Sequence, residues 1–109
     1  EADNVTGLLE EYPFYEMVEI AAGTYEGQDE DIPSVSMWNF AIAHQDLPES
    51  LAYEITKLAL EDNARMKQLH ASAVETLAEN WDTNNFMPFH PGAVRYYEEI
   101  GITIPEDLR

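Results

Sequence analysis

The stretch SVSMWNFAIAH, residues 34–44, decides the fold class, because its side chains from Met37 to Ala43 are apolar with the single exception of Asn39. A strand that is apolar on both faces is typical of the interior of a covered sheet rather than of a surface hairpin. Upstream, YEMVEIAA at residues 15–22 alternates apolar and polar positions, as a half-exposed strand does. Two strands alone make a poor sheet, so we expect an α/β fold whose other strands come from upstream sequence or from a second copy.

Helices are predicted after the two strands. Asp46 and Glu49 have the spacing of a capping box, with Pro48 in the first helical turn. The helix behind them has apolar side chains at helical spacing, which we expect to be its buried face. These side chains are Leu51, Ile55, Leu58 and Ala59.

The rest of the chain adds further helical segments. A second helix is predicted through Met66 and Leu69, and a short one ends near Glu79. Pro91 at a first helical position and Gly101 as a stop signal bound the last helix. With a short helix over residues 4–12 at the start, the sequence predicts two strands followed by three or four helices.

The charge of the chain narrows the classes of partner. Of 109 residues, 22 are acidic and 5 are Lys or Arg, which gives a formal net charge of −17, and no Lys or Arg precedes Lys57. Such a surface repels phosphates and anionic headgroups, so we expect no nucleic acid partner and no insertion into a membrane. Two explanations of the acidity remain open: adaptation to a salty (halophilic) environment, or a basic partner.

Motifs for chemistry are missing from the sequence. There is no cysteine, no GxSxG nucleophile motif and no glycine-rich phosphate loop. Counted as an EF-hand from Asp29, the sixth and twelfth positions would be Ser34 and Phe40, which excludes that calcium loop. The three histidines lie far apart without metal-binding spacing. We therefore expect no catalytic residue, no metal site and no cofactor, and a protein that is not an enzyme.

One segment combines groups that ligand pockets use. GTYEGQ at residues 23–28 follows the end of a predicted strand and combines an aromatic ring, a hydroxyl and an amide with two glycines. Ligands of open α/β sheets bind at the carboxyl ends of strands. The same residues would also suit an ordinary glycine-flanked turn, and the sequence leaves both interpretations open.

Three stretches, in order along the chain, resemble one known family. IAAGTYEGQDED at residues 20–31, DLP at 46–48 with YEITK at 53–57, and PFHPGA at 88–93 with RYY at 95–97 are similar to segments of the TAXI family of TRAP-transporter substrate-binding proteins. The resemblance extends over nearly the whole chain.

The resemblance implies a fold and a role. The chain would be the C-terminal part of a two-lobed periplasmic-binding-protein (type II) fold, with a strand-turn-strand region and hinge-crossing strand in residues 1–45 and a helical region in 46–109. The receptor would bind a small organic anion, glutamate or dicarboxylate-like, and deliver it to a TRAP membrane permease. It would lie in the periplasm or otherwise outside the cytoplasm, secreted or tethered to a membrane.

Within this resemblance, Thr24, Tyr25 and Gln28 are the expected ligand-binding residues, with Tyr25 giving an aromatic face and the other two giving hydrogen bonds. The alternative function is an autonomous acidic interaction module that docks on a basic partner. In either case, a strand-exchanged homodimer would cover the open sheet edges.

Overall fold

The computed structural model describes residues 2–12 and 14–109, and its chain forms two units by internal contacts, Glu1–Phe40 and Ala41–Arg109. The first unit contains helix α1 (Ala2–Glu11) and strands β1 (Glu16–Ile20) and β2 (Ile32–Ser36). The second contains helices α2 (Glu49–Glu61), α3 (Asn63–Leu69) and α4 (Pro91–Glu99). The predicted α/β class, two strands followed by helices, is confirmed.

The two strands form one antiparallel hairpin. Glu16 of β1 pairs with Ser36 of β2, and Ile20 pairs with Ile32 at the other end. The alternation predicted for the first strand is present, because Val18 and Ile20 are half-buried while their neighbours face solvent. The hairpin therefore places residues 21–31 as the connecting loop at the carboxyl end of β1.

The prediction of a long, doubly buried strand over residues 34–44 is wrong for this chain. The strand ends at Ser36, and the residues from Met37 to His44 have no regular secondary structure. The reason is the length of the partner strand: β1 begins at Glu16, which already pairs with Ser36, so none of the strands that the structure describes lies beside the residues after Ser36. Ile42 is accordingly 80% exposed.

In the second unit, α2 and α4 pack closely against each other. Gly92 makes this possible, since a Cβ atom there would collide with the Glu49 carbonyl oxygen and lie 2.6 Å from the Tyr53 amide nitrogen. Val94, Tyr97 and Ile104 form the buried core of this unit. Partly buried apolar side chains surround this core: Leu60, Ala78, Trp81, Phe89, Ile102 and Leu108.

Both ends of α4 were predicted correctly. His90 is the N-cap and accepts a hydrogen bond through Nδ1 from the Gly92 amide at 3.1 Å, with Pro91 following in the first turn. After Ile100, Gly101 has a φ of 86°, a left-handed conformation that favours glycine. The sequence signals for the start and stop of this helix involve only neighbouring residues, and the structure confirms both.

The start and the buried face of α2 differ from the prediction. Pro48 is the N-cap residue and makes no side-chain capping bond, so the predicted Asp46–Glu49 capping box is wrong. Ala52 and Tyr53 are the buried residues, whereas the predicted core residues of this helix are mostly exposed. The face of α2 with Ala52 and Tyr53 packs against α4, because the close approach of the two helices at Gly92 leaves no space for larger side chains at the contact.

The remaining helical segments are short. Residues Ala71–Glu75, Ala78–Thr83 and Glu106–Leu108 form 3₁₀ helices, so the predicted helix ending near Glu79 is two 3₁₀ segments instead. The last segment closes the unit, since the Phe89 amide donates to the Leu108 carbonyl at 2.8 Å and Arg109 Nη2 lies 2.7 Å from Glu98 Oε1.

Candidate functional site

The loop between β1 and β2, residues 21–31, contains all three predicted ligand-binding residues. Gly23 and Gly27 have φ angles of 79° and 82°, which side chains with a Cβ rarely adopt. Between them the Gly23 amide donates to the Gln28 carbonyl at 2.8 Å, and the Gln28 amide donates to the Tyr25 carbonyl at 3.1 Å. The two glycines are thus needed for the turn itself.

Gln28 holds the base of the loop together. Its side-chain Nε2 lies 3.0 Å from the Ile20 carbonyl oxygen, 3.1 Å from that of Ala21 and 3.0 Å from that of Glu30. Because the nitrogen faces three acceptors, the amide orientation is determined, and Oε1 points the other way, buried and without a hydrogen-bond partner. Gln28 Nε2 thus donates its hydrogen bonds within the hairpin, whereas Gln28 Oε1 accepts no hydrogen bond from the protein.

Two further side-chain bonds order the same loop. The Thr24 hydroxyl donates to the Ala21 carbonyl at 2.6 Å, so only its oxygen lone pairs remain for another molecule. Asp31 Oδ1 accepts from the Ala22 amide at 2.7 Å. The loop is therefore preorganised by its own polar groups rather than by packing.

Tyr25 stands out from this ordered loop. Its side chain is 66% exposed at the tip, with Glu26 exposed beside it. Asp29 and Glu30 are exposed on the returning arm. The groups that this loop offers to a solute are an aromatic face and hydrogen-bond acceptors, with no Lys or Arg in residues 21–31. Such a surface suits a donor or a cationic group better than a carboxylate.

A polar cluster between α2 and α4 was not predicted as a unit. The Arg95 guanidinium carbon lies 4.3 Å from the centre of the Tyr53 ring, and the Tyr53 hydroxyl donates to Glu99 Oε2 at 2.7 Å. This hydrogen bond to a carboxylate raises the pKa of Tyr53. Arg95 Nη1 also lies 3.4 Å from Glu49 Oε1, and Lys57 Nζ lies 4.0 Å from Glu61 Oε1.

The sequence signal for this cluster was the combination of aromatic and basic residues in YEITK and in RYY. These two stretches are far apart in sequence, since 42 positions separate Tyr53 from Arg95. Only the packing of α2 on α4 brings them together. Each of its two cations already faces a carboxylate and the Tyr53 ring, so the cluster is a joint between helices rather than an anion site.

The described part of the chain contains neither a potential metal-binding cluster nor a membrane-spanning helix. Over residues 2–12 and 14–109, no three side chains of the metal-binding types come together as a potential metal site. None of the described helices has the length and apolar character needed to cross a bilayer.

Comparison with known protein families matches residues 1–101 to the NMT1-like family. The matched range includes the hairpin, its loop and helices α1 to α4. The observed α/β architecture agrees with a part of a periplasmic-binding-protein-like fold. The chain therefore belongs to the NMT1-like family, a solute-binding family related to extracytoplasmic receptors.

Proposed function

We propose that this chain is the C-terminal portion of a two-lobed TAXI-type receptor that binds a small organic anion and delivers it to a TRAP-type permease. The observation that carries the receptor role is the family match over residues 1–101. The three stretches that resemble TAXI receptors, which occur in the same order along the chain, support the assignment to a TAXI-type receptor.

In this proposal residues 1–45 form the strand-turn-strand region and cross the hinge, and residues 46–109 form the C-terminal helical region. Support comes from residues 37–44, which run on from β2 with no strand beside them while Ile42 is almost fully exposed. An apolar segment of this kind suits a place beside strands from the rest of the receptor. Strand exchange between two copies would also provide a neighbouring strand for residues 37–44.

The proposed ligand contacts are Thr24, Tyr25 and Gln28. Tyr25 would stack on the solute, and the Thr24 hydroxyl oxygen would accept a hydrogen bond. Gln28 Oε1, which is buried and has no hydrogen-bond partner, would accept one once the loop admits the solute. The loop's hydrogen bonds support this, because they fix these groups before binding and so reduce the entropy lost on association. In glutamate, the ammonium group is the part that these acceptors suit, and the carboxylates would need cations from elsewhere in the receptor.

The net charge of −17 bears on where the receptor works. An anionic solute approaching it is repelled at low salt, whereas at 1 M salt the screening length falls to about 3 Å. We propose a salty extracytoplasmic habitat, with the protein secreted or tethered to a membrane. Raising NaCl from 0.1 to 1 M should then raise the unfolding temperature, and a fall would contradict the proposal.

A thermal-shift screen of the intact receptor in high salt, against amino acids and small carboxylates, tests the function. A ligand at 100 times its Kd should stabilise the protein by about 2.7 kcal/mol. Tyr25→Ala should weaken binding of any compound found, and Tyr25→Phe should retain most of it because the ring remains.

Met17→Ala is the matched control, since Met17 is also an exposed apolar side chain of the same unit but lies in β1, outside the loop. A screen without any shift for a folded, unliganded receptor would refute the receptor role. Binding that Tyr25→Ala leaves unchanged would remove the loop from the site while keeping the function.

A further inference from the structure

Helix α2 carries an apolar stripe on the outside of its unit. Leu51, Ile55 and Leu58 are 47%, 50% and 63% exposed, respectively. Spacings of four and then three residues place them in one row along the helix. Single exposed apolar residues are ordinary, but three in one row on one helix indicate a surface that another element covers.

The rotation of α2 about its own axis is fixed by its opposite side. Ala52 and Tyr53 are buried against α4, where Gly92 leaves no room for a side chain. Turning α2 to bury the stripe would expose Tyr53 and break its hydrogen bond to Glu99. The stripe is therefore a stable outer face of this unit.

The stripe has the pattern of a short coiled-coil seam. In heptad terms Leu51 and Leu58 occupy d positions and Ile55 the a position between them, which is the arrangement that pairs two helices. Glu54 and Glu61 then occupy the g positions, and both are exposed, although Glu61 also lies 4.0 Å from Lys57 Nζ. Because g residues face the partner helix, these two carboxylates border the seam on one side.

We propose that the α2 stripe docks an amphipathic helix of a partner protein, with apolar a and d residues and with Lys or Arg opposite Glu54 and Glu61. Pairs between g and e positions determine which helices associate, and like charges there oppose association. At low ionic strength the net charge of −17 adds attraction for a basic helix, and at 1 M salt this long-range contribution is screened, so the peptide recognition rests on the close Glu54 and Glu61 contacts.

The charge pattern argues against a second copy of this chain as the occupant. The e positions of α2 are Ala52 and Ala59, so a second α2 would offer Glu54 and Glu61 no cation. At low ionic strength two chains of −17 also repel each other. Anionic lipid is disfavoured for the same reason, since its headgroups would meet the carboxylate border.

The test is binding of designed helices to the intact protein, followed by fluorescence anisotropy. Three labelled peptides of equal length are compared: one with Leu and Ile at a and d and Lys at e and g, one with Glu at e and g, and one with Lys retained but Ser at a and d. The first should bind at least about tenfold more tightly than either of the others, a difference of about 1.4 kcal/mol.

Ile55→Ser should abolish this preference, and the unfolding temperature of the variant shows that it still folds. Leu69→Ser is the matched control, since Leu69 is an exposed leucine of α3 away from the stripe, and it should bind like the unmodified protein. Equal binding of the first and third peptides would reduce the effect to bulk charge and overturn the proposal, as would unchanged binding by Ile55→Ser.

Two further measurements test whether something other than a partner helix covers the stripe. A dimer in sedimentation that Ile55→Ser dissociates would show that a second copy covers it. The 109 residues contain no cysteine, so Leu58→Cys introduces a single label site in this chain. Protection of that thiol from alkylation in the intact protein, without any peptide, would show that the same molecule covers the stripe. Either result overturns the proposal, whereas a monomer with rapid alkylation supports it.

Discussion

Replacing Gly92 by alanine should destabilise the α2–α4 unit, although glycine to alanine normally favours a helix. The added Cβ would collide with the Glu49 carbonyl oxygen, and it would lie 2.6 Å from the Tyr53 nitrogen and 2.8 Å from the Ala52 Cβ. Two of these three atoms belong to the backbone of α2, so they cannot yield without moving the helix.

The expected size follows from two opposing effects. Forcing an extra methyl group into a packed contact costs about 1–3 kcal/mol of unfolding free energy. Removing a helical glycine returns up to about 1 kcal/mol. Because the clash is with backbone atoms of α2, we place its cost in the upper part of that range, about 2–3 kcal/mol, so the net loss is about 1–2 kcal/mol. For a unit of this size each kcal/mol lowers the unfolding temperature by about 4–8 °C.

Thermal unfolding followed by circular dichroism measures this loss. Gly7→Ala is the matched control, because Gly7 also lies in a helix and a Cβ there would meet nothing within 4 Å. That variant should be unchanged or slightly more stable. If Gly92→Ala melts at the temperature of the unmodified protein or above it, the close approach of α2 and α4 is wrong.

Three further outcomes are expected in the second unit. Ile104→Ala should cost about 2–5 kcal/mol in urea unfolding, because Ile104 is fully buried, whereas Ile100→Ala, on an exposed side chain, should cost far less. Gly101→Ala should cost about 1–2 kcal/mol in the same assay, because its φ of 86° disfavours a Cβ, and Gly101→Asn should cost less; equal losses would contradict this. Burial raises the pKa of Tyr96 and Tyr97, so the folded state keeps phenol protons that the unfolded state releases, and stability should be constant near neutral pH and fall as pH rises above 10. In urea unfolding measured across that pH range, Tyr97→Phe should weaken this fall, and an unchanged slope would contradict the assignment.

Local patterns predicted the hairpin loop and the last helix well. Gly23 and Gly27 marked a turn, and both adopt the left-handed φ that glycine permits. Pro91 and Gly101 marked the bounds of α4. In each case the interactions link residues only a few positions apart, so the sequence contains all the information needed.

Patterns that depend on a distant partner predicted less well. The apolar residues 37–44 were expected in a strand, yet a strand needs a neighbour, and β1 begins too late to provide one. The sequence indicated that Gln28 has an amide available for hydrogen bonds, but not that its nitrogen would lie within 3.1 Å of the carbonyl oxygens of Ile20, Ala21 and Glu30. These contacts depend on where the two arms of the hairpin meet, and the role of Gln28 in ligand binding stays a prediction.

The α/β class, the position of the turn, the ends of α4 and the acidic surface follow from the amino-acid sequence alone. The buried face of α2 does not, because periodicity identifies an apolar row on the helix but not the element that packs beside it. Gly92 allows α4 to approach the face with Ala52 and Tyr53, and this leaves the row of Leu51, Ile55 and Leu58 in solvent. Close backbone contact between distant segments was the deciding interaction, and no local pattern encodes it.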